Sequence, residues 1–425
     1  MSAFDPEAYL DSLEPIGWRL GLERMHKLTT ALGLPQHRFG SIHVVGTNGK
    51  SSVTRMAAAL LEAHGVSAGA CVSPHVWRWS ERTLVHGEEV GRRQWASAVE
   101  RVARAAEGVD RTLGEGEAVT QFEAATAATF VALADARVKA AAVEAGLGGR
   151  LDATNTIPSK VTVLTSVGLD HTEWLGESEL EIAAEKLAVL RDHTTLVLGS
   201  VSPQVGALAE RTAAEHGARL LRAPEDPGAE VRLRAPGAFQ RRNFAIARAA
   251  VEAFLGEVDP GVVAGVAAQI AIPGRLELIA QDPPTYIDAA HNPDGAAALA
   301  AALPALAAGA PVVACIAILA DKDAVEMVRA LAPALERAIC SELPAAALAG
   351  HGRPGARSHP AAALLAACDA TGLPAEVEPD FETALRRAQE PARREGGVLL
   401  VAGSHYAIGP ARALLADPPP GVRPL

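Results

Sequence analysis

HVVGTNGKSSV, residues 43–53, is the stretch that decides the fold of the first half of this chain. Its first three residues are typical of the end of a buried strand, and the Ala- and Leu-rich segment after Ser52 has the apolar spacing of a helix. A glycine-rich turn between a strand and a helix directs backbone N–H groups toward a phosphate at the positive end of the helix dipole. The sequence therefore predicts a phosphate-binding loop formed by Gly49, Lys50, Ser51 and Ser52.

The residue types in this loop support that interpretation. Lys50 places a positive charge on the phosphate, and a serine hydroxyl lies close to a phosphate-bound Mg²⁺. The spacing differs from the usual loop, because Val44 stands where the first glycine is expected and Gly46 begins a tighter Gly-x-x-Gly-Lys-Ser. The alternative is an ordinary Asn-Gly turn with a solvated lysine. The strand and helix on either side of the turn favour phosphate binding.

Length and charge limit the class of protein. The chain has 425 residues, of which 49% are hydrophobic, and a chain of this length divides into about two or three domains. The net charge of −11 argues against a nucleic-acid-binding surface and is compatible with small-molecule chemistry.

Composition also bears on location. The stretch that comes closest to a membrane span, 295–317, is rich in alanine and interrupted by Pro304 and Pro311, so we expect no membrane span. The acidic N-terminus lacks the basic start and apolar core of a signal peptide. The four cysteines are scattered without Cys-x-x-Cys spacing and are typical of small core residues in a reducing compartment. We therefore expect a cytoplasmic protein.

Strand and helix patterns alternate along the chain, which predicts an α/β fold with parallel sheets. Residues 1–280 are expected to form a P-loop, parallel-sheet ATPase domain with strands at 42–45, 67–72, 140–144, 160–166 and 195–198. The segment QDPP, residues 281–284, is typical of a linker. Residues 281–425 are expected to form a smaller, Rossmann-like α/β domain with strands at 285–288, 312–318, 337–340, 375–378 and 397–402.

Charged residues follow two of the predicted strands of the first half. Glu144 ends one apolar strand, and His171 follows another in SVGLDHTEWLG. Ligands of open parallel sheets bind at the carboxyl ends of the strands, and a carboxylate near a phosphate loop is a suitable ligand for Mg²⁺. We therefore expect Glu144 and His171 to belong to one site. By helical periodicity alone, Lys186 is a surface lysine whose stem lies along apolar surface.

Several motifs occur in a fixed order from about residue 40 to about residue 410: GTNGKSS, SPHVWRWSER, TQFEAATA, VEAGLGGRLDATN, SVGLDHTEWLG, EK at 185–186, PGRLE, DAAHNPDG and GSHYAIG. Together they closely resemble those of the folylpolyglutamate synthase/dihydrofolate synthase family, within the Mur ligase superfamily. The pair GLGGRLDATN and DAAHNPDG is the most specific part of this resemblance. Two motifs depart from the family pattern: Ser51 stands where the family commonly has glycine, and EKLAVL stands where it commonly has Glu-Lys-Ala-Gly-Ile.

The resemblance implies an ATP-dependent amide ligase that joins L-glutamate to a pteroate or folate carboxylate through an acyl phosphate. Its implied ligands are ATP and Mg²⁺, with two metal ions, and its implied partners are these small molecules alone, without nucleic acid or membrane. It implies that Gly49, Lys50, Ser51 and Ser52 hold the triphosphate, with further nucleotide contacts from Asn243, Arg275 and Asp288. It implies metal binding by Ser73, Glu144 and His171.

The same resemblance implies roles for the remaining motif residues. Lys186 matches a lysine that relatives carry as a carbamate, and His291 lies where it can contact phosphate or the transition state. The implied pterin-binding residues are Gln121, Phe122, Glu123, Ala124, Leu151, Asp152 and Ala153. The glutamate site is expected in the second domain, with Ser404 and Tyr406. Because Arg275 and Asp288 flank the predicted linker, we expect their contacts with ATP to depend on domain closure. A monomer is expected because one chain holds all the catalytic parts.

Two other functions compete with this one. Muramyl ligases share the two domains but usually carry a nucleotide-sugar domain before the phosphate loop, and only 45 residues precede Gly46 here. A P-loop regulatory switch would bind nucleotide without using the second domain. The pterin-type motifs favour the folate ligase. The resemblance leaves open whether dihydrofolate synthesis, polyglutamate extension or both take place.

Overall fold

The computed structural model describes residues 4–14, 21–349 and 355–416. The chain folds into two compact units. Unit 1 comprises Met1–Leu233 and Arg241–Ile270, and unit 2 comprises Arg234–Gln240 and Ala271–Leu425. The α/β fold class expected from the sequence is confirmed, with a parallel-dominated sheet in each unit.

The described residues of unit 1 form an eight-stranded sheet in the order β4-β3-β2-β5-β1-β6-β7-β8. Its strands are β1 Gly40–Val45, β2 Ala68–Cys71, β3 Thr83–Val85, β4 Glu88–Glu89, β5 Ala140–Glu144, β6 Ser159–Leu164, β7 Thr195–Leu198 and β8 Arg219–Arg222. The helices of this part of the chain are α1 Pro6–Ser12, α2 Glu23–Ala31, α3 Lys50–Ala63, α4 Arg92–Asp110, α5 Gln121–Asp135, α6 Thr172–Leu175, α7 Glu179–Leu187, α8 Pro203–Glu215, α9 Ala238–Leu255 and α10 Pro260–Gln269.

The centre of this sheet brings three carboxyl strand ends together. β1 runs parallel to both β5 and β6, with Val44 opposite Glu144 and Val45 opposite Leu164. β1 and β5 are buried because helices pack against the sheet: α4 and α5 through residues such as Trp95 and Phe130, and α7 and α8 through residues such as Leu187. Helix α3 also contacts β1, β2 and β5. The loops after these strands therefore meet at one edge of the sheet.

The described residues of unit 2 form a six-stranded sheet in the order β13-β12-β11-β14-β10-β9. Its strands are β9 Glu277–Gln281, β10 Pro284–Ile287, β11 Val312–Ile316, β12 Arg337–Cys340, β13 Ala375–Val377 and β14 Val398–Ala402. Its helices are α11 Pro293–Ala307, α12 Ala324–Leu331, α13 Ala345–Ala349, α14 Ala361–Thr371, α15 Phe381–Arg394 and α16 Ile408–Leu415. Residues of α11, α12 and α14 form a core against β11, β12 and β14.

The structure corrects two expectations about the sheets. The linker expected at 281–284 is wrong, because β9 ends at Gln281, β10 begins at Pro284, and the two strands pair antiparallel through the turn at 282–283. The sheet of unit 1 is also not purely parallel, since β2, β3 and β4 form an antiparallel edge. Strands of two or three residues carry too little alternation to be recognised from sequence.

The structure also bears on the cysteines and on the apolar helices. All four cysteines are free and buried, as expected for core residues. No helix among the described residues is both long and apolar enough to cross a bilayer.

Candidate active site

The predicted phosphate loop connects β1 to α3, and two of its glycines are required by the backbone. Gly46 and Gly49 have φ angles of 150° and 86°, which disfavour a side chain. A Cβ on Gly46 would lie 1.9 Å from Thr165 Oγ1, and one on Gly49 would lie 2.5 Å from Asn243 Oδ1. Gly49 is the N-cap of α3 and provides no capping side chain, so the first N–H groups of this 14-residue helix are directed at the loop.

Lys50 lies on this loop. Its Nζ donates hydrogen bonds to the carbonyl oxygens of Gly46 at 3.0 Å and Thr47 at 3.2 Å. These contacts fold the ammonium group over the turn, where a bound phosphate would sit. Ser52 is buried, whereas Ser51 is directed toward the end of β5.

Glu144 forms a compact oxygen cluster with two serines. Its side chain is buried, Oε1 accepts a hydrogen bond from Ser51 Oγ at 2.8 Å, and Oε2 accepts one from Ser73 N at 2.9 Å. Ser51 Oγ also lies 3.3 Å from the carbonyl oxygen of Ser73. The parallel pairing of β2, β5 and β1 produces this arrangement, because all three strands end here. Carboxylate, hydroxyl and carbonyl oxygens are the hard donors that Mg²⁺ prefers.

Lys186 is buried, so its interpretation as a surface lysine is wrong. The residue is 3% exposed, and burial together with the nearby Lys50 charge lowers the pKa of its amine to about 7. The carboxylates of Asp170 and Asp152 act in the opposite direction. Helical periodicity failed here because the loop at Gly149 covers the end of α7: a Cβ on that glycine would lie 2.9 Å from the carbonyl oxygen of Lys186.

His171 is the N-cap residue of the short helix α6 and has a φ of 53°. Its Nε2 lies 3.9 Å from Asp170 Oδ1, and its backbone N donates to the same oxygen at 3.0 Å. Asp170 directly precedes His171 in the motif SVGLDHTEWLG, from which only His171 was expected to bind metal. Within 4–14, 21–349 and 355–416, no group of three or more His, Cys, Asp or Glu side chains is arranged to hold a metal ion. A metal site here would thus depend on hydroxyl and substrate oxygens as well as on Glu144.

The residues expected to bind the pterin lie in two places. Gln121, Phe122, Glu123 and Ala124 form the first turn of α5 and are all buried. Glu123 already accepts hydrogen bonds from Thr120 N at 2.8 Å and forms an ion pair with the buried Arg24 at 3.1 Å. This carboxylate is therefore engaged in holding α2 and α5 together.

The second pterin-type group follows Glu144 in the chain. Leu151 is exposed, whereas Asp152 and Ala153 are buried. Asp152 Oδ2 accepts a hydrogen bond from Leu147 N at 2.8 Å, and Oδ1 accepts one from Thr154 N at 3.0 Å. Burial is the main influence on this carboxyl group and raises its pKa, while the hydrogen bonds oppose that change.

Among the expected nucleotide contacts, Asn243 lies beside Gly49 in unit 1, and the others lie in unit 2. Asp288 is buried at the end of β10, where its carboxylate accepts hydrogen bonds from Leu276 N and Ala290 N at 2.8 Å each. Burial raises the pKa of Asp288, and Arg275 opposes that effect. His291 Nδ1 lies 2.9 Å from the carbonyl oxygen of Ala289, just before α11.

The expected glutamate-site residues follow β14. Ser404 is buried and its Oγ accepts a hydrogen bond from Tyr406 N at 3.2 Å. The loop after the neighbouring strand β11 lies close to the segment that follows β14. A Cβ on Gly403 would lie only 2.6 Å from the carbonyl oxygen of Ala317. This second loop carries Lys322, which is only 9% exposed, with Nζ 3.8 Å from Asp321 Oδ2.

Lys322 is a candidate that sequence reasoning missed. The chain has six lysines, all within the described residues, and only Lys186 and Lys322 are buried. Burying an ammonium group is costly, so such lysines usually have a specific anionic partner or ligand. The scarcity of lysine and the ADKDA segment after a predicted strand were the signals that could have identified it.

The chain is similar to known proteins in both sequence and structure. Residues 274–405 match the family described as "Mur ligase, glutamate ligase domain". The chain is 34% identical to a dihydrofolate synthase/folylpolyglutamate synthase of Mycobacterium tuberculosis, over 75% of this chain and 73% of the relative. Crystal structures of M. tuberculosis folylpolyglutamate synthase complexed with ADP and AMPPCP match with a TM-score of 0.86 and 30% identity, over 97% of this chain and 98% of the other. A bifunctional folylpolyglutamate synthase/dihydrofolate synthase with Mn, AMPPNP and L-glutamate bound matches with a TM-score of 0.81 and 27% identity, over 98% and 99% of the two chains.

Proposed function

We propose an activity for this chain from one established premise: it belongs to the folylpolyglutamate synthase/dihydrofolate synthase family. The chain is an ATP-dependent ligase that forms an amide between L-glutamate and dihydropteroate, a tetrahydrofolate (poly)glutamate, or both. The observation that carries this proposal is the oxygen cluster of Glu144, Ser51 and Ser73 at the start of the phosphate-loop helix.

The reaction needs two steps because a carboxylate is a poor electrophile. A carboxylate oxygen of the acceptor takes the γ-phosphoryl group of ATP, which gives an acyl phosphate and ADP. The glutamate amine then attacks the acyl carbon, loses a proton, and expels inorganic phosphate. Two anions must meet in the first step, so catalysis depends on positioning and on neutralising charge. The N–H groups at the start of α3 and the ammonium of Lys50 supply these contacts.

The oxygen donors around Glu144 fit a Mg²⁺ ion, and the relative with bound Mn and AMPPNP supports a divalent metal with nucleotide. A metal held there would neutralise charge on the phosphate oxygens. Glu144 and Ser51 are the residues that would hold it. For Ser73, the contacts with this cluster involve its backbone N and O. We assign His171, with Asp170 beside it, to a second ion.

Lys186 is proposed to carry a carbamate. With a pKa of about 7, much of the amine is neutral at physiological pH and can attack CO₂. The nitrogen–carbon bond forms as the amine loses a proton, and an anion replaces the cation. This change removes the repulsion between Lys186 and Lys50 and provides a further oxygen ligand.

The two substrates are assigned to different parts of the chain. The acceptor is proposed to bind near Phe122 and the Leu151–Ala153 segment of unit 1. The glutamate is proposed to bind in unit 2 at the loops after β11 and β14, where Lys322 offers a positive charge to a carboxylate and Ser404 a hydroxyl. Arg275, Asp288 and His291 are proposed to act on the nucleotide and its transferred phosphate.

The test is an incorporation assay with purified protein, ATP, Mg²⁺ and radiolabelled L-glutamate. Dihydropteroate and tetrahydrofolate are supplied separately, and a UDP-muramyl peptide is the control for the related ligase class. Label entering a pteridine product supports the proposal and distinguishes the two activities. Label entering only the muramyl peptide, or none with any acceptor, would refute it. We also propose a monomer acting in the cytoplasm, to be checked by light scattering and cell fractionation.

A further inference from the structure

Three buried polar side chains connect the strand before the phosphate loop to the loop that carries Asp152. His43 lies on β1, is fully buried, and its Nε2 is 2.9 Å from Thr154 Oγ1. Thr154 Oγ1 donates in turn to Asp152 Oδ1 at 2.5 Å. His43 and Thr154 are 111 residues apart in the chain, so this contact depends on the tertiary structure.

The direction of these hydrogen bonds follows from their chemistry. Burial, with a smaller effect from Arg191, lowers the pKa of His43 to about 3, so its ring is neutral and has a single N–H. The Thr154 hydroxyl gives its one proton to the Asp152 carboxylate and must accept from His43. His43 therefore carries its proton on Nε2, and the chain of donors runs from His43 through Thr154 to Asp152.

Asp152 holds the loop that follows Glu144. Its carboxylate accepts from Leu147 N and Thr154 N, which closes the segment 147–154 on itself. The same loop contacts the end of α7, because Arg150 N donates to the carbonyl oxygen of Glu185 at 3.0 Å. The orientation of Asp152 thus affects the loop between Glu144 and the helix that carries Lys186.

We propose that His43 and Thr154 are positioning residues that hold Asp152 and its loop in the shape required for binding the pteroate or folate acceptor. The inference rests on the proposed function for the identity of that acceptor. A histidine at the centre of a buried sheet is unfavourable unless it is hydrogen-bonded. The hydrogen bond to Thr154 therefore explains why a histidine, and not an aliphatic residue, occupies position 43 of the buried strand β1.

A double-mutant cycle tests the proposal. Thr154→Val removes the hydroxyl with little change of shape, and His43→Leu removes the donor. His43→Gln retains an N–H group with a reach similar to that of Nε2. Thr162→Val is the matched control, since Thr162 lies opposite His43 on β6 and is equally buried, but takes no part in this chain of hydrogen bonds.

We expect Thr154→Val, which removes a hydrogen bond to a carboxylate, to raise the KM for the acceptor about tenfold. His43→Leu removes a hydrogen bond between neutral groups and should raise this KM about fivefold. In the same variants, the KM for ATP should change less than about twofold. The double variant should be no worse than the poorer single variant, because the two residues act in series. His43→Gln should recover most of the acceptor KM, and the Thr162→Val control should retain the wild-type value.

A second measurement does not depend on the substrate. Hydrogen exchange at the amides of Leu147 and Thr154 should accelerate in Thr154→Val, while exchange in β7 stays unchanged. Additive effects in the cycle, equal rises in the KM values for acceptor and ATP, or unaltered exchange in this loop would overturn the inference. Failure of the wild-type protein to use any pteridine acceptor would instead refute the proposed function, and the exchange result would still decide the positioning role.

Discussion

Replacing Lys186 by methionine removes an ammonium group from a residue that is 3% exposed and keeps a flexible side chain of similar length. Burial, followed by repulsion from Lys50, lowers the pKa of this amine from 10.5 to about 7. Such a difference corresponds to roughly 4–5 kcal/mol of lost stabilisation of the charged form. We therefore expect Lys186→Met to raise the free energy of unfolding of the ligand-free protein by up to about 4 kcal/mol at pH 7 and below, while activity is lost.

The pH dependence of this gain has a definite sign. Below pH 7 the lysine is protonated in both the folded and the unfolded states, so the wild type bears the full cost of the buried charge. Between pH 7 and 10.5 mainly the unfolded state binds the proton, and wild-type stability rises by up to about 1.4 kcal/mol per pH unit. The advantage of Lys186→Met should therefore be largest at pH 6–7 and should nearly disappear by pH 10.5.

Urea unfolding in CO₂-free buffer, followed by tryptophan fluorescence, measures this effect. All five tryptophans lie within unit 1, so their emission reports on the unit that contains Lys186. The control is Lys139→Met, because Lys139 is exposed in the same unit. A Lys186→Met protein no more stable than the wild type at pH 6–7, or a gain that does not vary with pH, would refute the electrostatic reasoning. In parallel, Lys186→Ala should be inactive and should regain part of its activity with added short carboxylates or bicarbonate.

Further predictions concern the phosphate loop, the metal and the nucleotide. Lys50→Ala should lower kcat/KM at least about 100-fold through lost charge neutralisation, with an unchanged melting temperature, and near-normal turnover would contradict the phosphate-loop assignment. Glu144→Gln should raise the Mg²⁺ concentration needed for activity, and His171→Ala should do so less. Wild-type Mg²⁺ titrations in both variants would remove these residues from the metal site. Arg275→Ala should weaken ATP use and release more than one phosphate per glutamate incorporated, and a ratio that stays at one would show that this arginine does not couple the two steps.

The sequence by itself determined those features whose pattern lies within one short, continuous segment. The phosphate loop was recognisable because strand, glycine turn and helix occupy consecutive residues, and the structure has β1 ending at Val45 and α3 beginning at Lys50. Glu144 was recognisable because a charge ends an otherwise apolar strand, and parallel topology places such ends together. The order of the family motifs added the chemistry, which periodicity alone does not provide.

Elements that depend on a distant partner were not recognisable in this way. Residues 281–284 resemble a linker by composition, yet Pro284 is the first residue of β10, a strand position that tolerates proline. Whether such a segment is a linker or a turn depends on the pairing of β9 with β10 and of β10 with β14, and β14 begins more than 100 residues later.

Burial of polar side chains was also decided by tertiary structure. Lys186 lies where helical periodicity places a surface residue, but the loop at Gly149 packs over that end of α7 and excludes water from the amine. His43 looks like one more member of a strand, and only the fold brings Thr154 to its ring. The physical reason is that desolvation and hydrogen bonding act through space. The pKa and tautomer of a side chain therefore depend on segments that are distant in sequence and that no local pattern encodes.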